Sequence, residues 1–173
     1  RLKIYNHSTP QAIEAVRSGI IDFAVASSPV NVEAPLKQIM LKTFKEILVG
    51  GTTFTALGSQ ELSLKELKNY PLICLGRETM TFQFYNELFY KNGIELLPDT
   101  EVATTDQILP LVKNELGQGF VPELMAQEAL SKREIVKISL KETIPERNVC
   151  MVYDYQHPLN SAAKELKKMI MEE

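Results

Sequence analysis

The sequence predicts an α/β protein of two lobes, and three observations predict it. Short apolar runs of strand length alternate with segments whose apolar residues repeat at helical spacing; hydroxyl or proline caps mark the joints between them; and two such sets are separated near Gly50 and rejoined near Arg147. Strands separated by helices imply mostly parallel sheets, and the two points of separation imply two crossing strands. The chain has 173 residues, 45% of them hydrophobic and 24% charged, which is enough to bury a core.

The elements follow in order. Leu2 to Tyr5 alternates as a strand, and Ser8-Thr9-Pro10-Gln11 then offers a hydroxyl cap, a first-turn proline and a glutamine placed for a capping box. A helix to about Ser18 follows, with Ala12, Ile13, Val16 and Ile20 at helical spacing and Gly19 as its stop. The nearly continuous apolar run Ile20 to Ala26 reads as a strand buried on both faces. A loop from Ser27 to Ala34 precedes two strands, Leu36 to Leu41 and Lys45 to Val49.

Beyond Gly50-Gly51, Ser63-Leu64-Lys65-Glu66 is a capping box for a short helix ending near Asn69, and Leu72 to Leu75 is a strand. Thr79 to Thr81 caps a helix carrying Phe82, Tyr85, Leu88 and Phe89 on one side and closed by Gly93. Glu101 to Ala103 is a short strand. The helix after Thr104-Thr105-Asp106 turns Ile108, Leu109, Val112 and Leu116 inward, and Pro110 should kink it or confine it to two joined turns. Gly119 to Val121 is a strand, Pro122 to Leu130 a helix, and Ile135 to Leu140 and Asn148 to Tyr153 are strands. A last helix from Pro158 places Leu159, Ala162, Ala163, Leu166 and Ile170 on one stripe.

Several chemistries have little to work with. Net charge is -3 with lysine and arginine scattered, so the footprint of a nucleic-acid-binding surface is missing and these residues are not expected to touch DNA. No apolar run approaches the ~20 residues of a membrane span and no basic-then-apolar leader precedes the chain, so no membrane partner and a cytoplasmic location are expected. Cys74 and Cys150 each sit inside an apolar run and read as buried free thiols. His7 and His157 lie far apart with no ligand at metal spacing, so no metal, cofactor or catalytic residue is assigned. Gly117-Gln118-Gly119-Phe120-Val121-Pro122 lacks the third glycine of a dinucleotide fingerprint and follows a helix instead of a strand.

What remains is a set of hydroxyls at strand-to-helix junctions: Ser27-Ser28, Thr79 with Thr81, and Thr104-Thr105. Such junctions expose helix amide donors beside hydroxyls and can bind a carboxylate, sulfate or phosphate, although each alone is also an ordinary helix cap. Arg77 is a candidate counter-ion, or else an exposed loop arginine.

The runs Gly19 to Val25, Val102 to Val112, Leu116 to Pro122 and Asp154 to Leu159 resemble, in order and spacing, the effector-binding domain of LysR-type transcription regulators, over essentially the whole chain. That resemblance implies two Rossmann-like lobes of the type 2 periplasmic solute-binding kind, with residues 1–49 and 148–173 as the first, incomplete lobe and 50–147 as the second. It implies a small-molecule effector in the interlobe cleft, and a homodimer or tetramer in the full-length protein. DNA would be bound only through an amino-terminal helix-turn-helix domain that this chain lacks, as it lacks the family's first strand and helix. By position, the family's effector contacts fall at Ser27, Ser28 and Pro29, at Thr79, Met80 and Thr81, and at Gly119, Phe120 and Val121.

Two rival readings remain open on the sequence. A stand-alone solute-binding protein of a transport system would share the fold but needs an export signal. An enzyme would need a base, a nucleophile or a metal at the site, and Glu78, Asp106 and Glu123 are the only acids near the junctions.

Overall fold

The computed structural model describes residues 2–172; Arg1 and Glu173, which end the expected ranges of the first lobe, lie outside them. In chain order the elements are α1 (Thr9–Arg17), β1 (Phe23–Ser27), β2 (Leu36–Phe44), β3 (Glu46–Gly50), β4 (Glu61–Leu62), β5 (Leu72–Leu75), α2 (Met80–Lys91), β6 (Thr100–Val102), α3 (Ile108–Lys113), β7 (Gln118–Pro122), α4 (Glu123–Ser131), β8 (Val136–Leu140), β9 (Arg147–Asp154) and α5 (Ser161–Glu172). The chain divides into two compact units, one formed by residues up to Thr43 and from Arg147 onward, the other by Phe44–Glu146.

In the first unit three strands lie in the order β1-β9-β2, with β1 antiparallel to β9 from Phe23 opposite Tyr153 to Ser27 opposite Val149. α1 starts where the caps place it: Ser8 donates its backbone N–H to Gln11 Oε1 at 3.1 Å, and Pro10 sits in the first turn. Gly19, at φ +71, ends it in the left-handed conformation that glycine adopts without steric cost. Ala12 and Val16 turn inward onto Ala24, Val30, Leu36, Cys150 and Val152, which together form this unit's core. Ile20 lies past the helix stop and is 70% exposed, so it is not part of that stripe.

The second unit holds a six-stranded sheet in the order β4-β8-β3-β7-β5-β6. Its central strands β3, β7 and β5 bury apolar side chains on both faces, with Glu46 and Gln118 as the buried polar exceptions. Leu48, Leu72, Cys74 and Phe120 point to one side, under Phe82, Tyr85, Leu88 and Phe89 of α2. Ile47, Val49, Ile73, Leu75 and Val121 point to the other, under Ile108 and Val112 of α3 and Ala126 and Ala129 of α4. Full burial of each such aliphatic side chain contributes roughly 1.5–3 kcal/mol, so these two layers carry most of the unit's stability.

Several expectations are corrected. The sheets are mixed: β5 is parallel to β6 and β7, and β4 to β8, but β3 is antiparallel to both β7 and β8. β3 follows β2 across the single residue Lys45 but pairs with β7 and β8 of the second sheet. Because both of these partners belong to the second unit, residues 46–49 lie with it and not with the first, and Gly50 is a strand residue opposite Val136. Arg147 lies with the first unit. Leu2 to Tyr5 is not a strand; no strand of the described residues pairs with it, and Leu2, Ile4 and Tyr5 are exposed.

Pro110 acts as expected. A 3-10 turn over Thr105–Gln107 runs into the short α3, which ends at Lys113 with Asn114 donating its backbone N–H to Pro110 O at 3.1 Å. Leu116 is therefore outside the helix and exposed. The helix after the Ser63 capping box is 3-10, over Leu64–Asn69. α5 begins at Ser161, not Pro158, behind Asn160, whose Oδ1 accepts from Ala163 N at 2.9 Å; of its expected stripe only Ala163 is fully buried.

Candidate functional site

Ser27 ends β1 and Ser28 continues its pairing, donating its backbone N–H to Asn148 O at 2.7 Å. Both serine side chains are held from β9. The Arg147 guanidinium, only 2% exposed, donates from Nη2 to Ser27 Oγ at 2.9 Å and from Nε to Ser28 O at 2.7 Å. Asn148 donates its backbone N–H to Ser28 Oγ at 2.8 Å, and its own Oδ1 accepts from Thr43 Oγ1 at 2.9 Å. Hydrogen bonds from a buried cation are short and strong, so this turn is fixed in place; Ser27, Ser28 and Pro29 are half-buried around it.

The partners Arg147 and Asn148 were not among the residues singled out from the sequence. They lie about 120 residues from the serines they hold, and an arginine at the head of an apolar run gives no local sign of being buried. Immediately beyond Pro29, an open cavity of about 580 Å³ is lined by Arg17, Val30, Asn31, Val32, Glu33 and Gln38.

In the second unit the Thr79 hydroxyl is engaged locally: it accepts from Phe82 N of α2 at 3.1 Å and donates to Gly76 O, in the turn before the helix, at 2.8 Å, and the residue is buried. Met80 and Thr81 are half-buried in the first turn of α2. Gly119, Phe120 and Val121 are core residues of β7. Their backbone pairs with β3, Gly119 also facing Ile73 of β5. The Phe120 ring stacks on Tyr85 with centroids 4.5 Å apart and meets Phe89 edge-on at 6.4 Å. All three residues are buried, and their side chains offer a ligand no open surface.

The remaining candidates take bland roles. Arg77 is exposed and pairs with Glu101 at 3.4 Å. Thr104 begins a turn closed by Gln107, whose Oε1 accepts from Ala103 N at 2.9 Å and Thr104 N at 3.2 Å. Glu123 accepts from Lys137 Nζ at 2.9 Å, and that hydrogen bond and charge hold its carboxyl below the ordinary carboxylate range. His157 Nδ1 lies 2.7 Å from Asp154 Oδ2; burial of Asp154 works to raise its pKa, but the bonds from His157 and Gln156 outweigh it and the carboxyl sits below its ordinary value. Burial pushes the Cys74 thiol up to about 12, with Glu101 and Asp99 adding to the effect, and burial also raises Cys150. Neither thiol has the character of a nucleophile. Among the described residues no group of three or more histidine, cysteine or acidic side chains is placed to hold a metal ion, and no helix is long and apolar enough to cross a membrane.

The fold has many relatives among solved structures. The effector-binding domain of QuiR in complex with shikimate superposes with a TM-score of 0.79 at 16% identity, over 96% of this chain and 78% of that one. The regulatory domain of CcmR from Synechocystis in complex with 2-PG gives 0.80 at 13%, over 99% and 81%. The regulatory domain of HypT from Salmonella typhimurium gives 0.75 at 14%, over 95% and 78%. No curated protein sequence matches the chain. The family described as LysR substrate binding domain matches residues 1–173, the whole length. By that match, and with the mixed α/β fold of these regulators, this chain belongs to the LysR substrate-binding domain family and is the effector-binding domain of a LysR-type regulator.

Proposed function

We propose that this domain senses a small metabolite bearing an anionic group, and that the group is received at the Ser27–Pro29 turn. The observation that carries the reading is the immobilised turn at the carboxyl end of β1, where Arg147 and Asn148 hold both serine side chains. Ligands of open α/β sheets gather at the carboxyl ends of strands, and a site fixed before the ligand arrives loses little freedom on binding. In the second unit, Met80 and Thr81 at the head of α2 are the residues proposed to touch the effector; Thr79 supports them as a cap. The two similar structures solved with shikimate and with 2-PG support a small-molecule effector as the ligand class.

In the whole protein, the effector changes the occupancy of two arrangements of the regulator and so its hold on DNA, which is bound by a part outside this chain. It does so only to the extent that the two arrangements differ in affinity for it. The protein works as a cytoplasmic homodimer or tetramer, and the domain performs no catalysis. Calorimetric titration with a panel of small carboxylates and phosphates, shikimate and 2-PG included, tests the reading. One of them should bind with a heat that Ser28→Ala and Thr81→Val reduce. Thr81→Val binding as tightly as the parent chain removes the α2 residues from the site.

A further inference from the structure

We infer that Arg147 is a specificity-determining residue of the effector turn: by donating to Ser27 Oγ, while the Asn148 N–H donates to Ser28 Oγ, it leaves both serine hydrogens to be donated to a ligand and favours an anionic acceptor. The inference rests on the reading of Ser27–Pro29 as the effector turn.

A serine hydroxyl carries one hydrogen and two lone pairs and adopts whichever role its surroundings leave open. At Ser27, Arg147 Nη2 fills the acceptor role at 2.9 Å, and a guanidinium is a donor under all conditions, having no acceptor atom and no accessible neutral form. At Ser28 the backbone N–H of Asn148 fills the same role at 2.8 Å, and it too can only donate. Among the described residues neither hydroxyl hydrogen is given an acceptor, so both remain to be donated outward. A carboxylate, sulfate or phosphate accepts both. An amide or alcohol oxygen in the same place can accept the same two hydrogens but carries no charge, so its bonds are roughly half as strong and it binds less tightly.

Arg147 can do this because it does not move. It is 2% exposed, and its Nε bond to Ser28 O at 2.7 Å ties the same guanidinium to the turn's backbone, so the fork spans both serines. Its place as the first residue of β9, whose next residue Asn148 supplies the second donor, makes the two polarising groups neighbours on one strand.

The test is a pair of ¹H–¹⁵N titrations of the chain at neutral pH and constant ionic strength, with acetate and inorganic phosphate in one arm and acetamide in the other. The amides of Ser27, Ser28 and Asn148 should shift saturably with the anions, and acetamide should need about tenfold higher concentration, the scale of one hydrogen bond to a charged group. Arg147→Met should reduce that preference severalfold, the Asn148 amide still holding Ser28. If it does not give a folded spectrum, Arg147→Lys is used: its single ammonium cannot span Ser28 O and Ser27 Oγ as the fork does, so the preference should shrink severalfold. Equal response to acetate and acetamide leaves the turn as the site and overturns the selectivity. Preference unchanged in the Arg147 variant that folds leaves Arg147 merely structural and overturns its role. No response at the turn to any probe overturns the effector reading itself, and this inference with it.

Discussion

The carboxylate of Glu115 is seated on the turn that follows β3, where Thr52 binds it twice: its backbone N–H and its hydroxyl each donate to Oε1 at 2.7 Å. Thr53 adds its hydroxyl to Oε2 at 2.5 Å, with its backbone N–H 3.4 Å from both oxygens. Glu115 itself stands at φ +63, a left-handed conformation uncommon outside glycine, so the surrounding contacts hold it there. The side chain thereby joins the segment after α3 to the segment after β3, both within the second unit.

The hydroxyls of Thr53 and Thr52, with the backbone donors behind them, hold the Glu115 carboxyl below its ordinary value of 4.5. A carboxyl whose folded-state pKa is depressed contributes stability that is fully present above the unfolded value and is lost as pH falls through the folded one. Glu115→Gln should therefore lower the melting temperature at pH 7, and the gap between variant and parent should close as pH is taken below 4.5 toward the depressed value. Thermal melts from pH 7 to pH 3 check this; a gap that stays constant across the range shows that charge on Glu115 contributes nothing.

Gly51 is the position that leaves room for this contact, since a β-carbon there would stand 2.1 Å from Glu115 Oε2. The carboxylate is the flexible end of a side chain, so Gly51→Ala should displace it rather than unfold the loop. The expected outcome is a destabilised protein in which adding Glu115→Gln costs almost nothing further. A double-mutant cycle on melting temperature reads the coupling, and additivity of the two substitutions rejects it.

Thr79 gives a third expectation. Its hydroxyl serves Gly76 O and Phe82 N, so Thr79→Val should destabilise the protein by about 1 kcal/mol, the usual cost of a lost cap, while Thr79→Ser retains most of it. Chemical denaturation measures both. A Thr79→Val chain as stable as the parent shows that water or a neighbour replaces the cap.

What the sequence made legible divides along the distance between partners. The caps at Ser8, Ser63, Thr79 and Thr104, the Phe82-Tyr85-Leu88-Phe89 face and the break at Pro110 are all set within a few residues of themselves, and local spacing reveals them. The direction of β3 was not legible, because an apolar run of five residues reads the same in a parallel and an antiparallel sheet. Nor were Arg147 and Glu115. Each acts on residues 62 or more positions away, and as a lone charged residue in sequence each looks like any solvated side chain. Ser27 and Ser28 were found from their place at a strand end, but what fixes them was not.

Phe120 separates a residue inherited by position from one that acts. Its ring is packed between Tyr85 and Phe89 at 2% exposure, and its backbone lies inside the ladder with β3. Phe120→Ala opens a cavity between β7 and α2 and should cost about 3–5 kcal/mol, whereas Phe120→Leu, which refills most of the volume, should cost about 1.5 kcal/mol or less. For an effector bound at Ser27–Pro29, affinity in the folded Phe120→Leu chain should match the parent. Denaturation curves give the first comparison and calorimetry the second. An affinity that drops tenfold in Phe120→Leu while stability barely changes returns Phe120 to the effector site, and with it the positional carry-over that its burial argues against.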